Sequence, residues 1–207
     1  MKSIQYIKQL NNTELGKTGT HETYVRVPNT LDVSDVFPNV NTEYQFIDRE
    51  TGATFVIRHT IGREKRIVGF GPYYSSKGLC AGDKIVIECR RDNNQETRIL
   101  DYVRNLSAIV AQKTSAGFEL LTPERLALVT DDIKVNEEPL TVDYLLSQKK
   151  RQDSPTETDF YDIKVGDQSI LENYSKNDCI LIEIDNYKAY IRNFCPWTKV
   201  CIETEEY

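Results

Sequence analysis

Between residues 3 and 103 the apolar side chains recur in short runs of alternating or continuous hydrophobicity, and every run is closed by a polar, glycine- or proline-bearing break. Residues 3–10 (SIQYIKQL) open the series, with Ile4, Tyr6 or Ile7, and Leu10 as anchors. Residues 23–27 follow, with Val25 and Val27 facing one way and Tyr24 and Arg26 the other, and Pro28 ends the run. Residues 43–48 and 54–58 flank the polar loop RETGA, which reads as a hairpin turn. The run KIVIEC at 84–89 is apolar enough for a buried strand, and TRILDYV at 97–103 returns after a polar tip. Six or seven short strands in about 105 residues leave many open edges, and closure into a barrel is the usual way to remove them. The chain is therefore predicted to be mainly β.

Helical signals are few. Residues 29–38 (NTLDVSDVFP) read as a turn of helix closing on Val36 and Phe37. Thr122, Pro123 and Glu124 start a short segment to Val129, and Thr141 is placed to cap another through Leu145 and Leu146. Residues 147–159 carry no apolar side chain and read as a loop, in which Lys149, Lys150 and Arg151 are either solvated or in reach of phosphate. Residues 160–165, 179–184 and 187–192, with Asp185-Asn186 as a turn, form a second small antiparallel set. The division expected is a first domain over 1–130 and an annex over 131–207, either α/β or β, which completes the first barrel or stands as its own module.

Charge narrows the function. The net charge is -6, but residues 1–91 hold 13 Lys and Arg against 10 Asp and Glu, whereas residues 92–207 hold 13 against 22. An acidic chain can therefore present a local basic face in its first half. Five cysteines without a CxxC pair do not make a disulfide scaffold or a zinc site, and reduced thiols are the simpler account. No apolar stretch approaches twenty residues and no leader-like run opens the chain, so the expectation is a soluble, cytoplasmic protein without membrane contact.

Catalytic signatures are sparse. The two histidines, His21 and His59, are isolated, and neither a phosphate-binding GxxxxGK[ST] loop nor GxGxxG occurs. Glu183, Asp185 and Lys188 in LIEIDNYK have the residue types of a metal-dependent phosphodiesterase, or equally of a charged hairpin turn. No cofactor is expected.

The stretch IRHTIGREKRIVGFG at 57–71 begins and ends as a strand, yet its middle carries Arg58, His59, Arg63, Glu64, Lys65 and Arg66 around Gly62. It reads as a strand pair with a charged tip. On its own such a tip is either solvated surface or an arm whose Arg and Lys reach guanine edges and phosphates in a DNA major groove.

A resemblance favours the arm. Tyr6-Ile7-Lys8, Thr18-Gly19 with His21, the strand ending at Pro28, and Val36-Phe37-Pro38 are similar to the N-terminal effector-binding domain of EcoRII-type restriction endonucleases. That domain shares the B3-like DNA-binding pseudobarrel of plant B3 transcription factors. The likeness continues at Arg63-Glu64-Lys65-Arg66-Ile67 and Phe70-Gly71 and covers roughly residues 4–105. It implies a seven-stranded pseudobarrel with short helices that clamps duplex DNA between two arms. The first arm would be Lys17 to Arg26, with His21 and Tyr24; the second would run from Arg58 through Thr60 and Arg63, with Glu64, Lys65 and Arg66 on the reading triplet. Arg26, Thr60 and Gly62 stand where the family pattern has a tyrosine and basic residues, so the target would differ from that of EcoRII. Tyr73, Tyr74 and Trp197 are expected as core or rim aromatics. The resemblance further implies a non-enzymatic, monomeric target-recognition domain of a restriction system. Cleavage or translocation would then come from a nuclease or motor domain, fused or separate. The alternative is a complete metal-dependent nuclease with its active site in the C-terminal half.

Overall fold

The computed structural model describes residues 1–17, 23–93, 95–149, 156–194 and 197–203. The chain is mainly β and falls into two compact units, residues 1–104 with 195–207, and residues 105–194.

The first unit opens with β1 (Lys2–Gln9) and β2 (Tyr24–Val27), followed by the hairpin of β3 (Glu43–Asp48) and β4 (Thr54–Ile61). The next strand is β5 (Lys65–Val68), then helix α1 (Gly71–Lys77), β6 (Lys84–Asp92) and β7 (Gln95–Val103). Alternation fixes which side of each strand is inside. Val25 and Val27, Ile57 and His59, Ile67, and Ile85, Ile87 and Cys89 are buried, while their sequence neighbours on β2 and β4 are more exposed. Each fully buried Ile or Phe of this set contributes roughly 1.5–3 kcal/mol.

Residues 29–38 form turns rather than the expected helical turn. Asp32 accepts from the Ser34 N–H and hydroxyl at 2.9 Å, and that local bond competes with a helix ladder. Val36 and Phe37 nevertheless close on the core as expected. The bend expected at Gly69 to Pro72 is there, and it leads into α1, a helix that the local pattern does not announce. Pro72 sits in the first turn, Gly78 ends the helix at φ 59°, and Tyr73 and Tyr74 are buried beneath it.

The second unit contains β8 (Ala108–Lys113), β9 (Phe118–Leu120), β10 (Lys134–Val135) and β11 (Glu138–Gln148). These are followed by β12 (Thr158–Val165), β13 (Gln168–Ser169), β14 (Cys179–Asp185) and β15 (Lys188–Asn193). The ladder runs β11-β10-β15-β14-β8-β9-β12, and β12 pairs back onto β11, which closes a seven-stranded ring. Its core is built on Ile109, Phe118, Leu120, Ile163, Ile180 and Ile182. The segment expected as a helix from Thr141 is part of β11. It has a ready partner in β12, and a register shift between Tyr144 and Leu146 produces the apolar spacing that imitates a helix. The short helix expected after Pro123 is a 3-10 turn, Pro123–Leu128. Residues 105–130 belong with this second unit, so the boundary expected at 130 lies inside it.

The last strand, β16 (Thr198–Glu203), returns to the first unit and pairs with β1. The first-unit sheet then has the order β16-β1-β6-β7-β3-β4-β5-β2, curled and, among the described residues, not closed by a pairing between its end strands. No helix among them is long and apolar enough to cross a membrane.

Candidate nucleic-acid interface

Strands β4, β5 and β2 lie side by side at one end of the curled sheet. Arg26 pairs with Arg66 and Tyr24 with Val68 across β2 and β5; Thr60 pairs with Arg66 and Arg58 with Val68 across β4 and β5. Directly opposed residues share a face, so Tyr24, Arg26, Arg58, Thr60 and Arg66 come together on the outward side. Five of the residues singled out in the sequence are thus one surface. Glu43 joins it, opposite Arg58 on β3.

Glu64 organises the charge. One carboxylate oxygen lies 3.7 Å from Arg26 Nε, and the other accepts from Arg66 Nε at 3.3 Å. The Arg66 guanidinium also stacks over Tyr24, 4.1 Å from the ring centre. Two guanidinium groups are therefore held around one carboxylate, while the Arg26 side chain stays 68% exposed. The role expected for Glu64, a free acceptor for a cytosine amine, meets competition in this arrangement, because both of its oxygens already face arginine.

Lys65 departs from its neighbours. Adjacent strand residues point to opposite faces, so it turns away from Arg66 and toward the side of Val27 and Ile61. There it lines a cleft with Arg63. Lys17 is exposed, with its ammonium 3.5 Å from the Leu79 carbonyl. His21 lies outside the described residues, as do Lys150 and Arg151. Arg58, Arg63 and Lys65 hold no ion pair among the described residues and supply uncommitted positive charge.

Behind this surface sits His59, 6% exposed, with both ring nitrogens lacking a hydrogen-bond partner among the described residues. Burial and then the Lys65 cation hold its pKa below the ordinary 6.5, against a smaller opposing pull from Asp32. That direction favours the neutral imidazole, which is part of the wall of the arm.

Sequence reasoning missed the part played by Trp197. Its indole N–H donates to the Arg26 carbonyl at 3.0 Å, on the outer edge of the sheet's last strand. With 171 positions between the partners, nothing local announces the contact. The Lys8–Glu14 pair was equally hidden: two charged side chains, 7% and 8% exposed, 3.0 Å apart.

In the second unit Asp185 and Lys188 face each other across the β14–β15 turn, and Glu183 pairs with Arg192 at 2.9 Å. The turn is centred on Asn186 at φ 55°, as its sequence suggests. No group of three or more His, Cys, Asp or Glu that could hold a metal ion occurs among the described residues.

No protein-family model matches the chain, and no curated protein matches it. Among the solved structures similar to part of it, two illustrate the likeness. One is the Arabidopsis FUS3-DNA complex, at 15% identity, covering 47% of this chain and 94% of that one with a TM-score of 0.37. The other is the N-terminal domain of Helicobacter pylori LlaJI.R1, at 11% identity, covering 51% and 85% with a TM-score of 0.34.

Proposed function

We propose that the first unit reads double-stranded DNA in a sequence-specific way, with the outward face of β4, β5 and β2 and the tip at Gly62–Glu64 entering the major groove. The observation that carries this reading is the convergence of Arg26, Arg58 and Arg66 with Tyr24 and Thr60 on one face. A major groove about 12 Å wide admits a two-stranded ribbon, and strands stand about 4.8 Å apart. Arg66 and Arg26, held in advance by Glu64 and Tyr24, lose less freedom on pairing with guanine than mobile side chains would. Arg58 on that face and Arg63 at the tip are available to phosphates, which fix register without reading sequence, while Lys65 faces the neighbouring cleft. Lys17 and His21 would form the first arm.

The resemblance described from the sequence extends this to a role: a monomeric target-recognition domain of a restriction system, with cleavage or translocation on a fused or separate nuclease or motor domain.

Selection from randomised duplex DNA near physiological salt tests the proposal, since phosphate attraction alone is then weak. A single enriched site, lost on Arg66→Ala, is the expected result. Enrichment of nothing, with only weak salt-sensitive binding, would leave the face as ordinary charged surface.

A further inference from the structure

Beside β2 and the tip that precedes β5 the first unit opens a cleft of about 520 Å³, lined among others by Lys8, Glu14, Arg26, Arg63, Lys65 and Trp197. Its charges divide into spent and unspent ones. Lys8 and Glu14 neutralise each other at 3.0 Å. Glu64, which also lines the cleft, faces Arg26 and Arg66. Arg63 and Lys65 are left without an ion pair among the described residues, so the cleft attracts an anion.

Size and wall chemistry say which kind. A phosphate alone is far smaller than this volume, which lies in the range of small-molecule sites. The indole N–H of Trp197 is already given to the Arg26 carbonyl, so what the ring still offers is an apolar aromatic surface. Lys8 and Glu14, bonded to each other and to the Gln9 carbonyl and the Asn11 N–H, are a wall whose polar atoms already have partners. Cations beside an aromatic wall suit a phosphate joined to a nucleobase.

We propose that this cleft is a nucleotide subsite that receives one nucleotide of a DNA strand displaced from the double helix, its phosphate on Arg63 and Lys65 and its base against Trp197. The inference rests on the DNA-binding reading of the first unit, whose Arg26 and Glu64 belong to both the outward face and the cleft.

Trp197 is the only tryptophan in the chain, so intrinsic fluorescence reports on the cleft directly. The full chain is titrated separately with deoxynucleoside monophosphates, deoxynucleosides and inorganic phosphate. The monophosphates should give a saturable change with a midpoint at or below roughly 1 mM. The double variant Arg63→Ala, Lys65→Ala should raise that midpoint about ten-fold or more, by loss of charge-assisted bonds to the phosphate. Thr30→Phe, which fills the cleft from an exposed lining position, should abolish the response without removing a charge. No change at several times that concentration, or the same change with inorganic phosphate alone, overturns the proposal. Anisotropy of a labelled duplex separates the two readings. Duplex binding that depends on Arg58 and Arg66 while Trp197 stays silent overturns the cleft and leaves the outward face standing. A nucleotide response without duplex binding overturns the face and, with it, DNA as the source of the nucleotide.

Discussion

The Arg66 guanidinium lies over the Tyr24 ring, 4.1 Å from its centre, so the side chain at the middle of the outward face is held by a strand 42 positions away in sequence. A cation over an aromatic face gains roughly 0.5–1 kcal/mol where exposed. Arg66→Ala should cost about 1–3 kcal/mol of affinity for a selected site and relax preference at one base pair, since it removes a two-point contact to guanine. Arg66→Lys should lose most of the same discrimination while keeping the charge. Competition between the selected duplex and single-base variants measures both. A uniform loss across all sequences would make Arg66 a phosphate contact instead.

Glu64→Gln keeps the shape of the side chain and removes the charge that faces Arg26 and Arg66. With that carboxylate neutralised, the arginines should bind random duplex more tightly, with a steeper dependence on salt, while preference for the selected site falls. Titrations at two salt concentrations, on selected and random duplex, show it. Loss of affinity on both, with no change in salt slope, would mean that Glu64 contacts the DNA itself.

How much of this site could be read in advance depends on the distance over which each interaction acts. The alternation of Tyr24, Val25, Arg26 and Val27 is local, and it correctly separated outward from inward side chains on β2. The charged tip around Gly62 was legible for the same reason. The triplet Glu64, Lys65 and Arg66 was not read as a split between two faces, because β5 begins at Lys65 and that start is set by pairing with Val27 and Ile61. In the second half, β11 imitates a helix in sequence because the register shift between Tyr144 and Leu146 breaks the period of two. The closed ring of the second unit and the return of β16 to β1 rest on pairings between distant strands that no window of sequence contains.

His59 should make the first unit sensitive to mild acid. Burial holds its folded pKa below 6.5, so the neutral ring is stabilising above that pH, and the contribution is lost as pH falls through the folded value while the unfolded chain takes up a proton. The urea midpoint should therefore drop between pH 7 and pH 5, and His59→Leu should flatten that limb. Parallel limbs in the two proteins would place the acid sensitivity elsewhere.

Gly69 follows β5 at φ 103°, and a Cβ there would stand 2.3 Å from the Val56 carbonyl oxygen on β4. Both the backbone conformation and the close approach exclude a side chain. Gly69→Ala should cost about 2–4 kcal/mol in chemical denaturation and disturb the β4–β5 pairing that carries Arg58, Thr60 and Arg66. A variant of wild-type stability would show that the strand yields at little cost.

The Lys8–Glu14 pair decides between a structural and a ligand-binding use of buried charge. The two side chains meet at 3.0 Å; Glu14 also accepts from the Asn11 N–H at 3.1 Å, and Lys8 donates to the Gln9 carbonyl at 2.6 Å. Burial raises the Glu14 pKa, and the Lys8 cation opposes that rise. Lys8→Met leaves the carboxyl group buried without its cation and should cost about 3–5 kcal/mol, with the loss growing as pH rises and Glu14 must ionise. Adding Glu14→Leu to Lys8→Met removes the stranded group and should recover most of that loss, because burying two charges is itself costly. Chemical denaturation of the two single variants and the double variant closes the cycle and gives the coupling energy. If the double variant is as stable as the wild type yet its Trp197 no longer responds to nucleotide, the pair serves the cleft rather than the fold. If it regains stability and the response persists, the pair is a local tie between β1 and the segment that follows it.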